Sequence, residues 1–271
     1  MIILRKLFSE GKEKIKKLPI SPLSRKTIEL LSTDETEEGK RLYKKLVAEA
    51  EKQGTKVTNS SGWNSHYIPS SPKEVKETWK NGLENIEKNV KDPEQKKAAK
   101  EAVNKFYRDT FGDIKGSDKY TDMICTNEHK RADVLAHELG HSKHFQDRDG
   151  GRISKAAHKA TKISPLVPII SIGSGVVSGI RSEKNGKEST LNRLSPYLIS
   201  GALSTPTLVA EAAASKRGMK MLKDLGASEE YQKNAKKTFR TAYGTYVRDG
   251  LVNVAMAGGG RIIGKVIGSG M

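Results

Sequence analysis

The feature that most limits what this chain can fold into is the pentapeptide His137-Glu138-Leu139-Gly140-His141, within residues 131–146, RADVLAHELGHSKHFQ. On an α-helix the two histidines are four residues apart and leave the same face, so two neutral imidazole nitrogens can bind one Zn²⁺. Glu138, one position round, reaches a water at such an ion. Asp133 suits the first turn of that helix, and Val134, Leu135 and Leu139 give it an apolar side to bury. The pattern predicts a motif helix running to Gly150-Gly151, which keeps His144 on the face of the ligands. A surface helix with two solvated histidines is the plain alternative. Apolar flanks, and a motif with no charge besides Glu138, argue against it.

Composition narrows the chemistry. His129, His137, His141, His144 and His158 fall within thirty residues and only His66 stands apart, which favours one metal site over scattered roles. The single cysteine, Cys125, excludes an internal disulfide and a cysteine-built zinc site. The formal charge of +17 points to an anionic neighbour: lipid headgroups, nucleic acid or an acidic protein surface. No nucleic-acid-binding motif is present and the lysines interleave with glutamates, so no specific nucleic-acid partner is expected. The start, MIILRKLFSEGKEKIKKLP, is too short in its apolar run for a secretory signal. As a helix it gathers Ile3, Leu4, Leu7, Phe8 and Ile15 loosely on one side among lysines. That suits either an anionic membrane surface or the chain's own domain.

Along the chain the fold class reads as mainly α (α+β), with Lys/Glu-rich helices over residues 1–119. Thr33, Asp34 and Glu35 start one helix, Leu42, Leu46 and Ala50 give it a stripe, and Gly54 ends it. Ser71-Pro72-Lys73-Glu74 is a capping box opening a helix to about Val90, and Asp92-Pro93 opens another that stops at Gly112. Lys56-Val57-Thr58, the stretch Trp63 to Ile68, and Met123 to Thr126 are β-prone.

After the motif the character changes. Residues 163–180 and 194–210 are uncharged and rich in Gly, Ser and Pro, joined by a polar turn. They fit either a hairpin entering a bilayer or two buried helices packed through small residues, and the scarcity of Leu and Phe favours burial. Residues 251–271 read as a Gly-rich, flexible or surface-adhering tail. Two histidines do not complete a catalytic zinc site, which takes three protein ligands. One candidate is Asp147, six residues after His141, in a pattern that needs Gly where His144 stands. The other is Glu211, opening a clearly helical stretch, as a carboxylate from a second helix.

Three pieces in order, AHELGH (136–141), LVPIISIGSG (166–175) and a Glu-led run from Glu211 to Val247, resemble the YugP-like neutral zinc metallopeptidases of bacteria. The likeness covers about residues 120–250. It implies a zincin-like helical core with a short β-ribbon and an apolar helical hairpin (163–210). It also implies Zn²⁺ held by His137, His141 and Glu211, and a metalloendopeptidase with Glu138 as general base acting on a peptide or protein substrate. In zincin-type peptidases the strand before the zinc helix pairs with extended substrate, which places Met123–Thr126 in that role. Lys216 and Arg217 match the family's basic pair. The acidic residue usual two positions after the leading Glu is here Ala213, which removes a partner for a zinc histidine. His144, Tyr243, Tyr246 and Arg217 are the candidate donors to an oxyanion, with His144 first. The resemblance implies a membrane-associated chain, with a cytoplasmic one as the other reading. A competing reading is a structural component of a large assembly, such as a phage virion, carrying a peptidase-like domain.

Overall fold

The computed structural model describes residues 30, 35–59, 65–112, 119–127, 129–142, 156–157, 164, 166–185 and 189–270. It is mainly helical, with a small mixed sheet. The elements run α1 (Glu37–Lys52), β1 (Thr55–Asn59), β2 (His66–Ile68), α2 (Pro72–Asn89), α3 (Pro93–Phe111), β3 (Asp122–Thr126), α4 (Ala132–His141), α5 (Val167–Asn185), α6 (Thr190–Asp224) and α7 (Glu229–Ser269). Two compact units are present, residues 1–149 with 214–239, and residues 150–213 with 240–271.

Local signals set the helix ends of the first unit. Ser71 and Glu74 exchange the two bonds of a capping box with Pro72 at the first helical position, and Asp92 caps α3 ahead of Pro93. Gly112 closes α3 at φ 64°, where any side chain would overlap the Asn59 carbonyl. The cap of α1 is Thr36, whose hydroxyl accepts from the Gly39 amide at 3.0 Å, and not Thr33, which lies outside the described residues. The N-terminal basic stretch, Trp63 and His158 lie outside them as well.

All three β-prone segments are strands, in the order β1-β3-β2, with β1 parallel and β2 antiparallel to β3. β3 is therefore central and buried along its whole length, as strands covered on both faces are. Both its edges are already bonded, so it cannot pair with a substrate strand. That corrects the placement which resemblance implied. Alternation sends Ile124 to one face, against Leu42 and Leu46 of α1 and Leu135 and Leu139 of α4. Met123 and Cys125 point to the other face, against Val75, Tyr107 and Phe111. The first face carries the main core, completed by Met221 and Leu222 of α6 and by Tyr231 and Ala235 of α7.

The second unit consists of α5, the first two-thirds of α6 and the part of α7 from Arg240 onward. Residues 251–269 are helical, so the expected loose tail is the end of α7. The uncharged segments form α5 and part of α6, and no helix among the described residues is long and apolar enough to cross a membrane. Burial is only half of their account. Small residues lie at the helix contacts, while Leu191, Leu198, Ile169 and Ile172 are exposed.

Candidate metal centre

The motif helix α4 is only ten residues long and holds its shape through neighbours at both ends. Arg131, at the N-cap, makes no capping bond to the helix. Instead the Glu35 carboxylate accepts from the Ala132 amide at 2.7 Å and from the Tyr231 hydroxyl at 2.9 Å. Its charge opposes the positive end of the helix dipole. Asp133, buried, pairs with Arg131 at 2.6 Å and accepts from the Val134 amide at 2.9 Å. Burial works against the charge of Arg131, and the Asp133 bond and charge outweigh it, so its pKa is raised. At the other end Ser142 turns to extended backbone (φ −63°, ψ 148°). The buried Arg217 guanidinium donates to the Gly140 carbonyl at 2.9 Å, satisfying a group the helix end leaves open. The helix thus stops at His141, not at Gly150-Gly151. His144, Asp147 and Gly150-Gly151 lie outside the described residues.

α6 crosses α4 at backbone contact. A methyl on Gly140 would overlap the Ala214 carbonyl, and one on Gly218 would stand 2.9 Å from the Ala136 carbonyl oxygen. Only hydrogen at both positions allows this approach, which brings Ser215 Oγ to 3.2 Å from His137 Nδ1. Phe239 of α7 covers the same imidazole at a ring separation of 5.5 Å. Glu211 stands one turn before Ser215 on the same unbroken helix, hence on nearly the same face.

The His137 and His141 Nε2 atoms are 3.2 Å apart, with their rings at 81°. With Glu211 they form a group whose ligand atoms all lie within 4.8 Å of one another. Two nitrogens each about 2.0–2.1 Å from a tetrahedral ion stand about 3.3 Å apart, so the pair already has the spacing a metal needs. With a metal on both Nε2 atoms, His137 would carry its proton on Nδ1, 3.2 Å from the Ser215 hydroxyl, and donate it there. This is the second bond that fixes a ligating histidine. His137, His141 and Glu211 are therefore a candidate metal-binding group. The donors, two imidazoles and a carboxylate, suit a borderline divalent ion.

Glu138 is half-buried. Burial pushes the Cys125 thiol up to about 11, a bond from Thr58 offsets part of this, and the nearby Glu138 carboxylate adds to the rise. The motif's carboxylate thus lies near the central strand. Of the proposed oxyanion donors, Arg217 is engaged on the end of α4, while Tyr243 and Tyr246 are half-buried on α7 in the second unit's stretch. His129 lies in a turn and lines a cavity with Tyr43, Lys44 and Lys130. Sequence reasoning missed Ser215, whose signal was its place one turn after Glu211. It also missed the capping role of Glu35, which no local pattern announces. No family model, curated protein or solved structure matches this chain.

Proposed function

We propose that the chain is a zinc-dependent peptidase, related to the YugP-like metallopeptidases that residues 136–141 and 211–247 resemble. The observation that carries this is the convergence of His137, His141 and Glu211, with Glu138 next to the first ligand on the same helix. Bound there, zinc supplies Lewis-acid polarisation of a peptide carbonyl and makes water acidic enough to be deprotonated near neutrality. The chain's own residues do the rest. Ser215 holds the His137 ring through Nδ1, and Arg217 fixes the helix end that carries His141. The Glu138 carboxylate takes a proton from water as its oxygen attacks the carbonyl, then delivers that proton to the departing amine. Phe239 packs its buried ring beside His137 at 5.5 Å and limits how far that imidazole can turn.

Elemental analysis and proteolysis of an unstructured protein such as casein test this together. Wild type is expected to hold one zinc per chain and to cleave. Glu211→Ala is expected to lose the metal, and Glu138→Gln to keep the metal while losing cleavage. Zinc without cleavage by the wild type would remove the peptidase reading. Absence of any bound divalent metal would remove the site itself.

A further inference from the structure

The second unit distributes its side chains in the reverse of the pattern that water selects. Among the described residues, every exposed large hydrophobic except Trp79 and Phe106 belongs to this unit. Leu191, Val266, Ile169 and Ile262 are exposed by 71%, 69%, 68% and 68%. Apart from Val167 and Pro196, the buried positions are instead small, among them Ser171, Ser178, Ser200, Ala257, Gly260 and Gly264. On α7 the exposed apolar residues between Val247 and Ile267 sweep an arc of about 200° at 100° per residue, and Gly260, Gly264 and Gly268 occupy the opposite side. A helix in a water-soluble bundle shows an apolar stripe towards its core and a polar one outside. Here the stripes are exchanged on all three helices.

The interior is built as helices are when hydrocarbon, not water, lies outside. Gly175 and Gly179 of α5 take the carbonyls of Ala257 and Arg261 where a methyl would not fit, and Gly260 and Gly264 of α7 take those of Ile172 and Val176. Close approach through small residues and bonds between inward hydroxyls hold such helices together. Ser171 and Ser200 are bonded at 2.7 Å, and Asn253 Nδ2 donates to Ser204 at 3.3 Å. Pro196 cannot donate to the Asn192 carbonyl one turn back, and the Ser178 hydroxyl of α5 fills that place at 2.6 Å. The hydroxyls of Ser171, Ser204 and Thr205 bond carbonyls of their own helices. Internal satisfaction of these groups is what a lipid exterior requires.

We propose that the outer surface of this three-helix unit contacts lipid, and that its partner is an anionic phospholipid bilayer. The charge-free stretches 166–180, 194–210 and 250–260 are bordered by exposed Arg181, Lys184 and Arg193; the exposed acids at these borders, Glu183 and Asp249, are paired with Lys265 and Arg248, which leaves a rim that is basic on balance and suited to anionic headgroups. The chain's +17 charge draws it to such a surface and opposes stacking of copies. Those stretches are about 16–25 Å long at 1.5 Å per residue, short of a hydrocarbon core of about 30 Å. The unit therefore lies in the interface without crossing it.

Co-sedimentation of the full chain with phosphatidylcholine vesicles, with and without phosphatidylglycerol, tests this. Light scattering without lipid is run alongside. Wild type is expected to pellet with the anionic vesicles. The double variant Ile262→Glu/Val266→Glu, altered only at exposed positions, is expected to bind more than tenfold more weakly with an unchanged circular dichroism spectrum. Phe106→Glu, in the first unit, is expected to bind as wild type does. Binding unaltered in the double variant would assign attachment to basic charge or to the N-terminal stretch and overturn the proposal. A discrete oligomer dissolved by the double variant, with no vesicle binding, would give the surface to a second copy and overturn it equally. Zinc content is read on the same samples, so failure here is separable from failure of the metal site.

Discussion

Ser215→Ala is the substitution that reads the metal centre most directly without touching a ligand. The hydroxyl lies 3.2 Å from His137 Nδ1 and is half-buried, so its loss removes one hydrogen bond worth about 0.5–1.5 kcal/mol. It also lets the imidazole turn and change tautomer, and each departure takes Nε2 away from the position 3.2 Å from its His141 counterpart. Loss of a partner behind a zinc histidine costs about 10–100-fold in metal affinity, or about 1.4–2.7 kcal/mol. A neutral hydroxyl belongs at the lower end, so roughly tenfold weaker zinc binding is expected. Competition against a fluorescent zinc chelator at neutral pH measures this. Thermal unfolding of the metal-free proteins separates it from general damage. Ser215→Asp, which offers a carboxylate to the same Nδ1–H, is expected to bind at least as tightly as wild type. Wild-type affinity in Ser215→Ala, with the fold intact, would refute the role of this bond. So would a loss fully matched by a lower melting temperature of the metal-free form.

Three other outcomes follow from packing and from burial. Gly140→Ala places a methyl against the Ala214 carbonyl, so α4 and α6 must part, at a cost of about 1–3 kcal/mol in urea unfolding and with weaker metal binding. Gly82→Ala, where nothing lies within 4 Å, is expected to stabilise by about 0.5–1 kcal/mol. The Cys125 thiol, pushed up to about 11 chiefly by burial, is expected to resist a disulfide reagent at pH 8 until urea unfolds the chain. Its folded value lies above the ordinary thiol value of about 8.5, so the associated stability is full below that pH and is lost as pH rises through about 11. A pH titration of the unfolding midpoint, compared between wild type and Cys125→Ala, measures that loss.

What the sequence disclosed here is what neighbours along the chain decide. The capping box at Ser71 and Glu74 and the Asp92-Pro93 start lie within four residues of the backbone groups they satisfy, so their helices were legible. The strands were legible as segments but their order was not, because β1 pairs with β3 across 67 positions (Thr58 with Cys125). The end of the motif helix is not legible in the sequence for the same reason. No Gly or Pro stands at 142–149, and Arg217, from another helix, completes the end at Gly140. The glycines of residues 251–271 read as a flexible or surface-adhering tail, and residues 194–210, with Pro196, leave a bilayer hairpin and buried helices both open. In the structure Gly260 and Gly264 are contact points, and the carbonyl that Pro196 leaves open is filled by Ser178, a side chain 14 residues away.

The metal group divides along the same line. His137 and His141 follow from helical spacing alone, whereas Glu211 was one of two candidates until resemblance favoured it, and its nearness to the histidines depends on the crossing at Gly140 and Gly218. Helical geometry also decides what Ala213 means. Two positions after Glu211 a side chain points about 200° round the helix, while four positions after it points about 40° round. Ser215 therefore shares the Glu211 face and reaches His137, and Ala213 points away from it. A carboxylate at 213 would have to reach round the helix to serve the same ring, so its absence does not leave His137 without a partner. Ala213→Asp is accordingly expected to leave zinc affinity within about twofold of wild type, since the position makes no contact that holds His137 in place. Chelator competition on this variant beside Ser215→Ala tests it. A gain of tenfold or more in Ala213→Asp would show that the ring takes its partner from position 213, and would refute the assignment to Ser215.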